Sequence, residues 1–130
     1  MSILARLRRW AAELVWLATP PSARSALPPG AYESPLDKLS NSVVDAIEAQ
    51  DYDAAEKRCQ RLLREYPDVF DGHQRLAMLR QAQGRFREAA EHYAKLLKMM
   101  KKNPRDLDPD MIGFFTAQRE QALAKAREKR

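Results

Sequence analysis

Cysteine, glycine and aromatic residues are scarce in this chain, and each shortage excludes something. The single cysteine, Cys59, rules out an intramolecular disulfide and gives no sign of an oxidising compartment. With only four glycines (Gly30, Gly72, Gly84 and Gly113) no phosphate-cradling glycine loop can be written. β-Branched residues are few, and no window of six or more residues alternates strictly between apolar and polar, so a strand signature is missing. No apolar run approaches the roughly 20 residues of a membrane-spanning helix. The longest stretch, Trp10 to Ala18, is short and is interrupted by Glu13.

What the chain does have is helix-forming residues. Ala, Leu, Arg, Lys, Glu and Gln dominate, and they lose little rotamer freedom in a helix. A length of 130 residues suits one domain, with 45% hydrophobic residues for a core and 32% charged residues for its surface. The expected class is all-α. The net charge of +5 permits contact with an anionic partner without requiring it. That charge is uneven. Lys95, Lys98, Lys101, Lys102 and Arg105 follow one another with no acid between them, whereas Asp45, Glu48, Asp51, Asp53 and Glu56 form an acidic stretch.

Composition divides the chain into three regions. Residues 1–18 are a basic amphipathic helix candidate. Residues 19–35 hold five of the eight prolines and read as an extended linker, because proline fixes φ and lacks a donor N–H. Residues 36–130 carry helical periodicity, expected as helices over 36–49, 52–65, 69–83, 86–102 and 109–127. The boundaries have chemical markers. Ser34-Pro35-Leu36-Asp37 offers a cap hydroxyl, a first-turn proline and an acid. Asp68 is expected to cap the third helix, Gly84 to stop it in a left-handed conformation, and Asp108-Pro109-Asp110 to open the last one.

A repeat emerges when the chain is slid against itself by 34 residues. Asp51-Tyr52-x-x-Ala55 then aligns with Arg85-Phe86-x-x-Ala89, Cys59 with Tyr93, Leu62 with Leu96, and Gln50 with Gly84. The spacing places Tyr52, Ala55, Cys59 and Leu62 on one helical face, and Phe86, Ala89, Tyr93 and Leu96 on another. In the second unit, His73-x-x-Leu76-Ala77-x-x-Arg80 precedes Ala89-x-x-x-Tyr93, and in the first, Ala55-x-x-x-Cys59 precedes Pro67. This pattern resembles the tetratricopeptide repeat (TPR) over residues 36–103. His73, Arg80 and Cys59 stand where the family has aromatics, and Lys101 where it has a proline.

The resemblance implies a TPR-like α-solenoid of two helix–turn–helix repeats plus a capping helix, preceded by the separate N-terminal amphipathic helix. In the capping helix Met111, Ile112, Phe114, Phe115, Ala122 and Leu123 are expected to face inward, with Arg119, Glu120 and Lys125 in water. It further implies a groove that receives a peptide or helix from another protein. The groove positions would be Ser40, Val44, Ile47 and Glu48, with Gln74, Arg75, Met78 and Gln81 from the second unit. Asn41 and Arg75 alone make a poor clamp for an acidic tail, so Val44, Ile47 and Met78 suggest an apolar strip with polar edges. Val44 and Ile47 fit packing inside the repeat equally well.

The N-terminal candidate has Ile3, Leu7, Trp10, Leu14 and Leu17 at helical spacing, joined by Leu4 and Val15, with Arg6, Arg8, Arg9 and Glu13 away from the stripe. Four fates fit it. It could lie on an anionic membrane surface, dock into a partner subunit, fold back into its own groove, or be a targeting peptide cleaved near Ala23–Ala26. The corresponding location is the cytoplasm, either free or peripheral at a membrane.

Catalytic chemistry is not written here. His73 and His92 are not helical neighbours, and neither has a Cys or paired acid at metal-ligand spacing, so no metal, cofactor or catalytic residue is expected. The basic run has no interleaved aromatics, and a solvated helix end accounts for it better than nucleic-acid binding. The reading is therefore a non-enzymatic adaptor or assembly subunit. A small TPR chaperone for hydrophobic client segments is the alternative, and a basic RNA-associated factor a weaker one.

Overall fold

The computed structural model describes residues 33–103 and 108–128. Within them the chain forms five helices: α1 (Pro35–Glu48), α2 (Tyr52–Glu65), α3 (Asp71–Ala82), α4 (Phe86–Lys102) and α5 (Pro109–Glu128). The expected N-terminal helix, with Ile3, Leu4, Leu7, Arg8, Arg9, Trp10, Leu14, Val15 and Leu17, and nearly all of the linker lie outside the described residues.

Local chemistry sets most boundaries. The Ser34 hydroxyl accepts the Asp37 N–H at 3.1 Å while the Asp37 carboxylate accepts the Ser34 N–H at 3.3 Å, a reciprocal cap that opens α1. At the far end of α1, Asp51 N–H donates to Ala46 O and Gln50 N–H to Ile47 O. The same pair of bonds closes α3, from Arg85 to Arg80 O and from Gly84 to Gln81 O. This Schellman closure needs a left-handed residue at its centre, and Gln50 (φ 58°) and Gly84 (φ 73°) occupy it, 34 positions apart. Asp108 caps α5 by accepting the Asp110 N–H at 2.9 Å.

One expected cap is corrected. Asp68 does not start the third helix. Residues 67–70 form a turn, and α3 begins at Asp71 behind Phe70, with no side-chain cap. Phe70 is drawn into an edge-on contact with Phe115, 6.0 Å between centroids, which holds the start of α3 two residues further along.

Consecutive helices pack pairwise from α1 to α5, and α1 also touches α3. The first core joins Leu39, Val43 and Ala46 of α1 to Ala55, Cys59 and Leu62 of α2 and to Leu76 and Leu79 of α3. The second joins Ala77 to Tyr93, Leu96, Leu97 and Met100 of α4 and to Phe115 of α5. Helix α3 thus serves both cores from opposite flanks. Each fully buried leucine contributes about 2 kcal/mol of transfer free energy. Ala55, Cys59, Leu62, Ala89, Tyr93 and Leu96 are all buried, and Tyr52 and Phe86 are half-buried at matching positions.

The capping helix packs through a narrower stripe than expected. Phe115 and Ala122 are buried and Ile112 and Leu123 partly so, but Met111 is 38% and Phe114 57% exposed. Six apolar side chains spread over more of the helix than one main neighbour, α4, can cover, so Met111 and Phe114 turn outward.

Candidate partner-binding surface

Because α1 and α3 lie side by side, the expected groove positions come from adjacent helices, but not all remain open. Ser40 is buried, and this corrects its place on the surface. Its hydroxyl donates to Asp71 Oδ2 at 2.9 Å and accepts from Arg75 Nε at 2.8 Å, tying α1 to α3. Arg75 also reaches Met78 Sδ at 3.1 Å. Burial pulls the Arg75 guanidinium below its ordinary range, and the Asp71 charge opposes that shift. Asp71 has no counterpart in the sequence expectation, since nothing local marks it as the partner of a serine 31 residues away.

The remaining positions divide. Ile47 packs against the first core, and Gln81 accepts a 2.8 Å hydrogen bond from the Tyr93 hydroxyl, so both are engaged within the fold. Val44, Gln74 and Met78 are half-buried and Glu48 is exposed. Val44 and Met78 are equivalent under the 34-residue shift, so the apolar part of the α1–α3 face is these two side chains, flanked by Gln74 and Glu48.

Two polar clusters had no sequence signal. Arg80 is 9% exposed, and it donates to both carboxylate oxygens of Glu56, at 2.7 and 3.0 Å. Its Nε lies 3.3 Å from Glu88, which also pairs with Arg85 at 2.6 Å. The bond from Arg80 holds the Glu56 carboxyl below the usual carboxylate range, and that same bond raises Arg80. The second cluster is His73 with His92, whose Nδ1 atoms are 3.3 Å apart. Among the described residues no three His, Cys, Asp or Glu side chains converge as metal ligands. Cys59 is fully buried, and burial pushes its thiol up to about 12, which removes the thiolate needed for reactivity.

The equivalent closures, the matched seam and the two stacked hairpins are those of a helical repeat array, and residues 46–105 match the family model described as tetratricopeptide repeat. This segment belongs to the TPR family. No curated protein and no solved structure matches the chain. The match begins in the last turn of α1 and takes in α2, α3 and α4, leaving most of α1 and all of α5 outside it. TPR units suggest a role in protein–protein interaction, and in this fold the TPR segment carries α3, which supplies half of the α1–α3 face.

Proposed function

We propose that this protein is an adaptor or assembly subunit, its α1–α3 face holding a helix or hydrophobic segment of another protein. Residues 1–18 then dock to an anionic membrane surface or to a partner subunit, and the protein works in the cytoplasm or peripherally at a membrane. The observation that carries the reading is the equivalent placement of Val44 and Met78, half-buried on neighbouring helices of a repeat stack and bordered by Gln74 and Glu48. Two apolar side chains with a polar margin suit one face of an amphipathic helix.

A photo-crosslinking side chain placed at Val44 or Met78 of the full chain tests this. Crosslinks to one protein from both positions, lost in Val44→Asp, support an adaptor. Partner crosslinks that arise only away from α1 and α3 overturn the groove assignment. Deleting residues 1–33 should abolish membrane or subunit association, and unchanged association removes that half of the proposal. The chaperone reading draws on the same apolar pair, and it predicts a changing set of hydrophobic clients where the adaptor predicts one stoichiometric partner.

A further inference from the structure

Two adjoining cavities of about 400 and 470 Å³ run along the junction of α4 and α5, sharing Ala94 and Arg119 in their walls. They form one furrow on a different helix pair from the α1–α3 face. Its apolar lining is of mostly small side chains set behind mostly exposed cations: Ala90, Ala94 and Leu97 from α4, with Leu123 and Ala126 from α5. Along the margins stand Arg87, Lys98, Lys101, Lys102, Arg119 and Arg127, against one acid, Glu91. The fold brings the basic run at the end of α4 beside Arg119 in the middle of α5, and Arg87 at the start of α4 beside Arg127, residues separate in sequence.

The furrow gathers its cations without the acids to balance them. Arg61, Arg80 and Arg85 each sit within 3.3 Å of a glutamate. Among the described residues, no carboxylate pairs with any of the six cations along the furrow. Like charges so gathered repel one another, and an anionic occupant relieves that repulsion as it binds.

Shape and lining narrow the occupant. A single-stranded nucleic acid needs aromatic platforms for its bases, and the furrow has none. A lipid surface is met by protruding apolar and cationic side chains, whereas here the apolar lining is recessed behind the charges. The chain's own segment 1–18 is also basic, through Arg6, Arg8 and Arg9, and the furrow repels it. We propose that the α4–α5 furrow is a second docking site that takes an acidic amphipathic helix from a partner protein. Small apolar side chains of that helix lie along Ala90, Ala94 and Leu97, and carboxylates on its two edges meet the cationic margins. From Arg87 to Lys101 the α4 side of the furrow spans roughly 21 Å, the length of a helix of about 14 residues.

The test uses the full chain, ¹⁵N-labelled, and a synthetic peptide of about 16 residues with Ala and Leu on one helical face and Glu on both edges. The expected result is saturable binding that shifts the amide signals of Ala94, Leu97 and Arg119 and leaves those of Val44 and Met78 in place. Replacing Glu by Gln in the peptide, or Lys98→Glu with Arg119→Glu in the protein, should weaken binding at least tenfold, and raising salt should weaken it progressively. Shift mapping on the unaltered protein decides the location independently of how the variant folds. No binding at millimolar peptide, or shifts centred on α1 and α3, overturns the proposal without touching the reading of the α1–α3 face. Preferential occupation of the furrow by a single-stranded oligonucleotide, by phosphatidylserine vesicles or by a second copy of this chain overturns it as well.

Discussion

His73 and His92 meet Nδ1 to Nδ1 at 3.3 Å, joining α3 to α4 inside the second repeat. Their ring planes are inclined by 26° and their centroids are 5.6 Å apart. That centroid separation exceeds the nitrogen separation by about two ring radii, so the rings meet edge to edge along the hydrogen bond. One Nδ1–H donates to the other Nδ1, which requires at least one neutral ring. Burial, Lys95, the neighbouring His73 and Arg80 pull His92 down to about 4, with Glu88 opposing, and burial with Lys95 lowers His73.

A pH dependence follows from this pair. The unfolded chain, with histidines near their ordinary value of about 6.5, binds more protons than the folded one between about pH 6.5 and 4. Stability therefore falls as pH is lowered through that window, by an amount on the order of 2 kcal/mol after allowance for solvent screening. Urea titrations at several pH values should show the slope, and His92→Gln should flatten it. A wild-type slope that persists in His92→Gln assigns the effect elsewhere.

Arg80 clasps α2 to α3 through Glu56, and its loss should be felt as loosened inter-repeat packing. Arg80→Ala should cost about 2 kcal/mol in denaturant unfolding, and Arg80→Lys much of that, because an ammonium cannot bond both carboxylate oxygens in the same fork. Glu56, held low by this bond, contributes stability at pH values above the ordinary carboxylate range, and that contribution is lost as pH falls through its depressed folded value. The acid limb of the stability profile should accordingly become shallower in Arg80→Ala.

The two left-handed closures make opposite predictions at equivalent positions. Gln50 carries a side chain at φ 58°, so Gln50→Gly should stabilise by about 1 kcal/mol. Gly84 is already the favoured residue, so Gly84→Gln should destabilise by a similar amount. Thermal unfolding of both variants checks the pair.

Neighbouring phenylalanines in α5 should behave very differently. Phe115 contacts Phe70 and Tyr93 in the second core, and Phe115→Ala should cost about 3–4 kcal/mol and release α5. Phe114 is largely exposed, and Phe114→Ser should change stability by less than about 0.5 kcal/mol. Denaturant midpoints distinguish the two.

Cys59 offers a probe of global opening. Its full burial and raised thiol value predict that a thiol reagent modifies it at the rate of unfolding, about as fast in native buffer as the chain opens. Rapid modification of the folded protein would show that the first core breathes around α2.

The features readable in the sequence were those that short-range rules decide. Ser34, Pro35 and Gly84 mark ends through caps and turns completed within a few residues. The 34-residue register placed Tyr52 with Phe86, and Leu62 with Leu96, because each repeat buries the same face against its neighbour. The candidate site was only partly readable. Periodicity says which face of a helix is apolar, not how much of that face another helix covers. That is why Ser40 lies inside the α1–α3 contact, why Phe114 turns to solvent, and why Asp68 yields its expected role to a helix start set by Phe70 against Phe115.

By itself, then, the sequence determined a helical repeat, the hairpin boundaries and the seam of small and aromatic residues, all consequences of backbone preference and 3.6-residue periodicity. Only the tertiary structure decided which polar side chains are partners: Ser40 with Asp71 and Arg75, Arg80 with Glu56, and His73 with His92. Those partnerships join positions 19 to 35 residues apart, across helices whose relative rotation comes from packing, and no local rule along the chain specifies that rotation.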